Sequence, residues 1–369
     1  MRYSATLAHC VTSLLQTNSP LLPQTRSQTC RTMRWVVAVF ALMCAPALAW
    51  GPEGHQVVGS IADQLLNHNA KQQVATILGT KLRVASTWAD CARSVQQSNG
   101  SFKYVVNPRF EAPCTSFDKT RLVDYVSRNW SNCTYEDKPT NCHKAFHFAD
   151  VAIQHDTYDR SDVGTNDHDV VSAINAAILV LQNKPAPAPF SIKDKKEALF
   201  LLAHFVGDIH QPLHVGAIFL DAAGNPVNPD AGTFDKNSAT AGGNSINEGH
   251  QNLHADWDAI PKRFGTSASK AMVGKAKAVP HTTGPLEDWA ATWASDTVKA
   301  SHAAFKGLSF TGTGAHKWSV EFDDRKAYVK SENQLKEKQL AKGGARLAEL
   351  LNAIWPEPVA SHDFGGASR

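Results

Sequence analysis

Histidine and aspartate recur in this sequence one helical turn apart: His204 with Asp208, His254 with Asp258, and His155 with Asp159. On a helix such residues share a face, with Cβ atoms roughly 5–6 Å apart, close enough for both side chains to reach one metal ion. The first pair stands out by its surroundings. The run His204-Phe-Val-Gly-Asp208-Ile-His-Gln-Pro-Leu-His214 sets ionisable groups in the apolar helix expected deepest in the core. Buried imidazole and carboxylate need partners, and a divalent cation satisfies several at once. Taken alone, the segment also fits His204 and His214 as hydrogen-bonded core histidines.

The elements that must hold these residues read as helices. Val57, Val58, Ile61, Ala62, Leu65 and Leu66 repeat at i, i+3, i+4 and predict an amphipathic helix starting just after Gly54. Val170, Val171, Ile174, Ala177, Ile178 and Leu181 predict a second, closed by the Pro-Ala run at 185–189. A third is expected from Ser191 as N-cap through Leu199, Leu202, Val206 and Ile209 until Pro212 stops it. Two more are expected over 284–306 and 323–354. Strand alternation is scarce. The exception is 215–250, rich in Gly, Asn, Asp and Pro, which reads as a long loop or small hairpin of functional use. The fold class is therefore mainly α, a single all-helical domain.

Residues 1–49 read as an address. Met33-Arg34, the apolar stretch 35–43 and Ala47-Leu48-Ala49 form a basic region, a short hydrophobic region and a small-residue cleavage site. Cleavage is expected after Ala49, with Met33 as an alternative start, leaving a secreted or periplasmic domain over 50–369. No stretch reaches the roughly 20 apolar residues of a spanning helix. Cys91, Cys114, Cys133 and Cys142 remain after cleavage. An even number in an exported chain suggests two disulfides, with the short-range pairing Cys91 to Cys114 and Cys133 to Cys142 preferred among the three possible. The chain carries 37 basic and 34 acidic side chains, and all four basic groups of the leader leave with it. So balanced a charge disfavours a duplex-coating protein but permits a nuclease with a local site.

Five motifs occur in order: Trp50-Gly-Pro-Glu-Gly-His55, Trp88-Ala-Asp90-Cys-Ala-Arg93, His147-Phe148-Ala-Asp150, the His204 to His214 run, and Asn252-Leu253-His254-Ala-Asp-Trp257-Asp258. On these residues the chain resembles the zinc-dependent single-strand-specific nucleases and 3′-nucleotidases of fungi, plants and bacteria. The resemblance implies a mainly α-helical domain of the type shared with zinc-dependent phospholipase C, with three Zn2+ at the bottom of a cleft. It places one zinc with Asp90, His147, His204 and Asp208, and a second with His55, bridging Asp208 and the amino and carbonyl groups of Trp50. The third falls to His214, His254 and Asp258. Phe148 and Asp150 match residues that stack on and hydrogen-bond a base. Arg93 matches a basic residue that stabilises the transition state, and Asp90 stands beside it as a catalytic candidate.

The chemistry of that set is coherent. Zinc takes neutral imidazole and ionised carboxylate, lowers the pKa of a bound water towards about 7, and stabilises a leaving oxygen. Three ions against the three carboxylates of Asp90, Asp208 and Asp258 leave about +3 in an otherwise near-neutral protein, a point that draws phosphodiesters. The α-amino group of Trp50 becomes a ligand only once the leader is cut. Implied partners are single-stranded DNA, RNA and 3′-nucleotides, met by a monomer with no stable membrane association. His143 competes with His147 as a ligand, and the resemblance selects His147. His155, Asp159, His168 and His250 read as surface or loop groups. Two rivals remain. One is a zinc-dependent phospholipase C, whose last ligand is usually glutamate where Asp258 stands here. The other is a zinc-storage protein without turnover.

Overall fold

In the computed structural model, residues 50–108, 111–131, 133–135 and 138–358 are described. The expected leader, with its start at Met1 or Met33 and its cleavage after Ala49, lies outside the described residues. Helices dominate, as expected. At the centre is Lys195–Asp208, in which every residue from Glu197 to Asp208 is buried. A helix buried on all sides shows no polar stripe, which is why His204 and Asp208 sit among Leu199, Leu202 and Val206. Around it pack Pro52–Leu65, Val170–Leu181 and the 30-residue Arg325–Ile354. The closest crossing is made by Gly344, where a Cβ would lie 2.4 Å from Ile61 Cβ. Only glycine lets the long helix approach the first one this closely. The contact carries buried Val57, Val58 and Ile61 against Leu347 and Leu351, each such side chain contributing about 1.5–3 kcal/mol.

Local capping corrects two expected boundaries. The first helix begins at Pro52, before Gly54, because proline at the first helical turn loses no needed donor and pre-sets φ. The central helix is capped by Asp194 in place of Ser191: the Asp194 carboxylate accepts the Glu197 amide at 2.9 Å. Ser191 is engaged elsewhere, its amide donating to Asn129 Oδ1 at 2.9 Å. The central helix ends at Asp208, and Pro212 opens the next short helix, Pro212–Val215. The helix expected over 284–306 is a 3₁₀ turn, Leu286–Asp288, followed by Trp289–Phe305. His68–Leu78 and Lys119–Arg128 are helices that the apolar pattern did not announce.

Strands are short. Residues 215–250 hold the small hairpin Phe219–Leu220 with Pro226–Val227, together with Gly216–Ala217, Ile246–Asn247 and a 3₁₀ turn, Lys236–Ser238. A second hairpin, Leu308–Gly314 with Lys317–Phe322, was not expected, and Ile246–Asn247 pairs parallel to its second strand. Most consequential for the site is a two-residue parallel ladder, Val151 to Gly216 and Ala152 to Ala217. It lays the segment after Asp150 against the segment after His214, and Ala149 N–H donates to the His214 carbonyl at 2.8 Å. Disulfides join Cys91 to Cys114 and Cys133 to Cys142, the preferred pairing. No helix among the described residues is long and apolar enough to cross a membrane.

Candidate active site

Five separate stretches deliver the expected side chains to one place. Asp208, at the last turn of the central helix, is the hub. Its Oδ1 lies 3.3 Å from His55 Nε2, and its Oδ2 lies 3.0 Å from His147 Nδ1 and 3.2 Å from His204 Nε2. His55 stacks on His204 with ring centroids 3.7 Å apart. Asp90, from the short helix Trp88–Ala92, stands 3.8 Å from His204 Nε2. His55, His204 and Asp208 are fully buried, and Asp90 and His147 nearly so. Gly207 makes the His55 contact possible, since a Cβ there would lie 2.8 Å from His55 Nδ1. His214, His254 and Asp258 form a second group, with His254 Nε2 3.6 Å and His214 Nε2 4.0 Å from Asp258 Oδ1. Two overlapping donor groups form here, His55 with Asp90 and His204, and His147 with His204 and Asp208; they share His204, where the expected ion positions share Asp208 and set Asp90 with His147. The third stays separate.

Whether these residues suit a cation is answered by their hydrogen bonds. The Nδ1 atoms of His204, His214 and His254 lie 2.6, 2.8 and 2.7 Å from the carbonyl oxygens of Ser86, His147 and Gly242. A carbonyl only accepts, so each ring donates from Nδ1 and turns Nε2 inward. His214 Nε2 and His254 Nε2 then face each other at 3.1 Å, and His204 Nε2 faces His147 Nδ1 at the same distance. The His214 and His254 lone pairs so placed repel unless a cation lies between them. Asp90 Oδ1 and Oδ2, Asp208 Oδ1 and both nitrogens of His55 are buried and make no hydrogen bond. Orphaned donors and acceptors of this kind are costly without a ligand. The donor set fits a divalent metal centre.

Electrostatics agree. Burial pushes His147 down to about 4, against the pull of Asp208, and burial with the neighbouring His214 pushes His254 down to about 3. His55 is lowered by burial and by His204. These rings are therefore neutral at physiological pH, the state in which imidazole binds metal. At His204, burial is outweighed by Asp208 and Asp90, and its pKa is raised. Asp208 is held well below the usual carboxylate range: burial opposes this, but His204, His214 and His147 outweigh it.

Trp50 arrives from the start of the described chain. Its indole is fully buried and donates to the Gly207 carbonyl at 2.9 Å, while Gly51 N–H donates to the Asp258 carbonyl at 2.9 Å. Those two bonds bring Trp50 to Gly207 and Gly51 to Asp258. Beside the His147, His214 and His254 rings opens a cavity lined by Arg93, Phe148 and Asp150, with Leu213, Ala241 and Asn244 completing it. The last three were not singled out from sequence. Their signal is conformational: Ala241, Gly242 and Gly243 have φ of 51°, 57° and 86° in succession, a left-handed run that turns the chain against His254. His143 is set apart from the cluster, its Nδ1 3.3 Å from the Asn129 carbonyl and its ring stacked near Trp130. His168 lies beside Asp167, and His250 is exposed.

Comparison with known proteins bears on the whole arrangement. A model described as S1/P1 nuclease matches residues 50–356. Endonuclease 2 of Arabidopsis thaliana is 26% identical over 334 residues, covering 87% of this chain and 96% of the relative. Nuclease P1 of Penicillium citrinum is 25% identical over 342 residues, covering 84% of this chain and all of the relative. Nuclease S1 of Aspergillus oryzae is 23% identical over 327 residues, covering 84% and 93%. The family match begins at Trp50 and contains each side chain gathered around Asp208 and His254; the chain belongs to the S1/P1 nuclease family.

Proposed function

We propose that this nuclease is an exported zinc enzyme, residues 50–369 forming its catalytic domain, that cuts single-stranded DNA and RNA to 5′-phosphate products and removes phosphate from 3′-nucleotides. The observation that carries this reading is the facing of His214 Nε2 and His254 Nε2 at 3.1 Å, with both Nδ1 atoms already donating to carbonyls, beside a cavity that holds Phe148 and Asp150. Asp90, His147, His204 and Asp208 would hold one ion. His55, Asp208 and the backbone start of Trp50 would hold a second, and His214, His254 and Asp258 a third. When bound, zinc supplies Lewis acidity towards phosphate oxygens and acidifies water at neutral pH.

The chain's own residues do the rest. Phe148 offers a face on which an unpaired base stacks, and Asp150 accepts a hydrogen bond from its pairing edge, both of which a duplex hides. Asp90, whose carboxylate oxygens make no hydrogen bond, would orient and accept a proton from attacking water. Arg93 meets the charge that grows on the phosphate in the transition state. The choice of the 3′ P–O bond rests on the resemblance alone. The relatives named above are nucleases, so the phospholipase C alternative gains no support from them. Metal analysis of the processed protein, with digestion of a labelled single-stranded oligonucleotide and end-group identification, tests the proposal. Two or more bound zinc ions and 5′-phosphate ends are expected. Cleavage that survives exhaustive chelation, or preferential hydrolysis of phosphatidylcholine, overturns it.

A further inference from the structure

Away from the cleft, His155 and Asp162, from the loop before Val170–Leu181, converge with Asp230, from the loop after Pro226–Val227. His155 Nε2 lies 2.8 Å from Asp230 Oδ2, and its Nδ1 lies 3.9 Å from Asp162 Oδ2. One donor atom from each residue can be chosen so that all lie within 4.8 Å of one another. The three side chains are 15 to 27% exposed, sheltered yet reachable by water. Both carboxylates face one imidazole, and neither forms an ion pair with Lys or Arg among the described residues. Burial, followed by the like charges of Asp230 and Asp159, raises the Asp162 pKa against the pull of His155. The ring can satisfy Asp230 by a hydrogen bond, but at 3.9 Å it makes none to Asp162.

We propose that His155, Asp162 and Asp230 form a peripheral site for one divalent transition-metal ion, with water completing its coordination. One imidazole nitrogen and two carboxylate oxygens suit zinc better than calcium, which takes six to eight oxygens. The site has a structural use. Asp230 Oδ1 accepts the Val163 amide at 2.8 Å, and the next residue, Gly164, accepts the Asp150 amide at 3.0 Å. Gln154 Nε2 donates to the Val227 carbonyl at 3.0 Å, beside the same turn. An ion here fastens the loop that backs Asp150 to the end of the Pro226–Val227 strand. It thereby steadies one wall of the cleft without touching the chemistry.

The test compares the mature chain, as purified with its ions, with His155→Ala and Asp162→Asn after dialysis against micromolar Zn2+. Wild type should hold one more zinc per chain than either variant. Added Zn2+ should raise the wild-type Tm by several degrees, as a ligand that binds only the folded state does, and leave the variants' Tm unmoved, while hydrolysis of single-stranded DNA stays within about twofold. Asp162→Asn leaves the Asp230 to Val163 bond in place, so it carries the comparison if His155→Ala does not fold. Equal zinc counts in all three proteins overturn the proposal. So does a loss of Tm in the variants that is the same with and without zinc, which would make the cluster an ion pair only.

Discussion

Gln211 donates from Nε2 to Asp258 Oδ1 at 2.7 Å, across 47 residues, and the same side chain accepts the Leu213 amide through Oε1. One buried amide thus aims a carboxylate of the His214, His254 and Asp258 group and caps the short helix that presents His214. Outer partners of this kind typically govern metal affinity by 10–100-fold. Gln211→Ala should weaken zinc at this group by about that factor, read as faster zinc loss on dialysis, with the ions around Asp208 retained. Affinity equal to wild type would reduce Gln211 to a helix cap, worth about 1 kcal/mol.

A second prediction concerns a residue whose contribution is the absence of a side chain. Alanine at position 207 would stabilise an isolated helix by roughly 0.5–1 kcal/mol relative to glycine. Here its Cβ would sit 2.8 Å from His55 Nδ1 and 3.2 Å from His55 Cε1. The ring must give way, and with it the 3.3 Å approach to Asp208. Gly207→Ala should therefore keep its helical circular dichroism yet bind fewer metal ions and lose most activity. Full metal content in this variant would show that the His55 ring relocates without consequence.

A further prediction concerns Trp50 and rests on the proposed removal of residues 1–49. Its indole is anchored on Gly207, and Gly51 is anchored on Asp258. An α-amino group at that point, with an ordinary pKa of about 7.7–8.0, can shed its proton and bind a cation. One extra residue ahead of Trp50 should lower both zinc content and turnover, because the amine becomes an amide. Unchanged values for both would remove the chain terminus from the site.

That these residues would gather was legible in sequence because few side chain types can bind a metal and because His204 and Asp208 share a helical face whatever surrounds them. The parts that depend on tertiary contact were not. Asp194 and Ser191 are both acceptable caps by residue type, and the choice between them is made by Asn129, which engages Ser191 from 62 residues away. Ala241 and Asn244 have no chemistry that marks them. They reach the cavity through a left-handed backbone run packed on His254, where a Cβ at Gly242 would meet the Leu213 carbonyl at 2.2 Å. The hairpin Leu308–Gly314 and Lys317–Phe322 does carry a sequence signal, since Trp318, Val320 and Phe322 alternate with Lys317, Ser319 and Glu321.

Phe148 separates recognition from catalysis. It lines the cavity next to His147 and Asp150 but offers no metal donor. Stacking of a base on an aromatic ring is worth about 1–3 kcal/mol. Phe148→Ala should thus raise KM for 3′-nucleotides and short single strands by roughly one order of magnitude or more while zinc content stays full. An unchanged KM would leave the ring as packing, and a loss of zinc would place it in support of His147.

The last prediction concerns stability. Glu248 has a side chain only 1% exposed, bonded to Arg325 at 3.0 Å. Burial, and then repulsion from Asp256, push its pKa up to about 8 from 4.5, although Arg325 pulls the other way. Between these values the folded chain keeps a proton that the unfolded chain has released. Fewer protons bound when unfolded means stability falls as pH rises. The contribution of Glu248 is thus complete below about pH 4.5 and is lost as pH climbs through about 8. Glu248→Gln stays neutral throughout and preserves an oxygen for Arg325. Thermal melts at matched zinc should show wild type losing stability across that window more steeply than Glu248→Gln. Because every other titrating group, those gathered around Asp208 and His254 included, is common to both proteins, the difference between the two curves isolates Glu248. Parallel curves would mean that the buried carboxylate remains ionised beside Arg325.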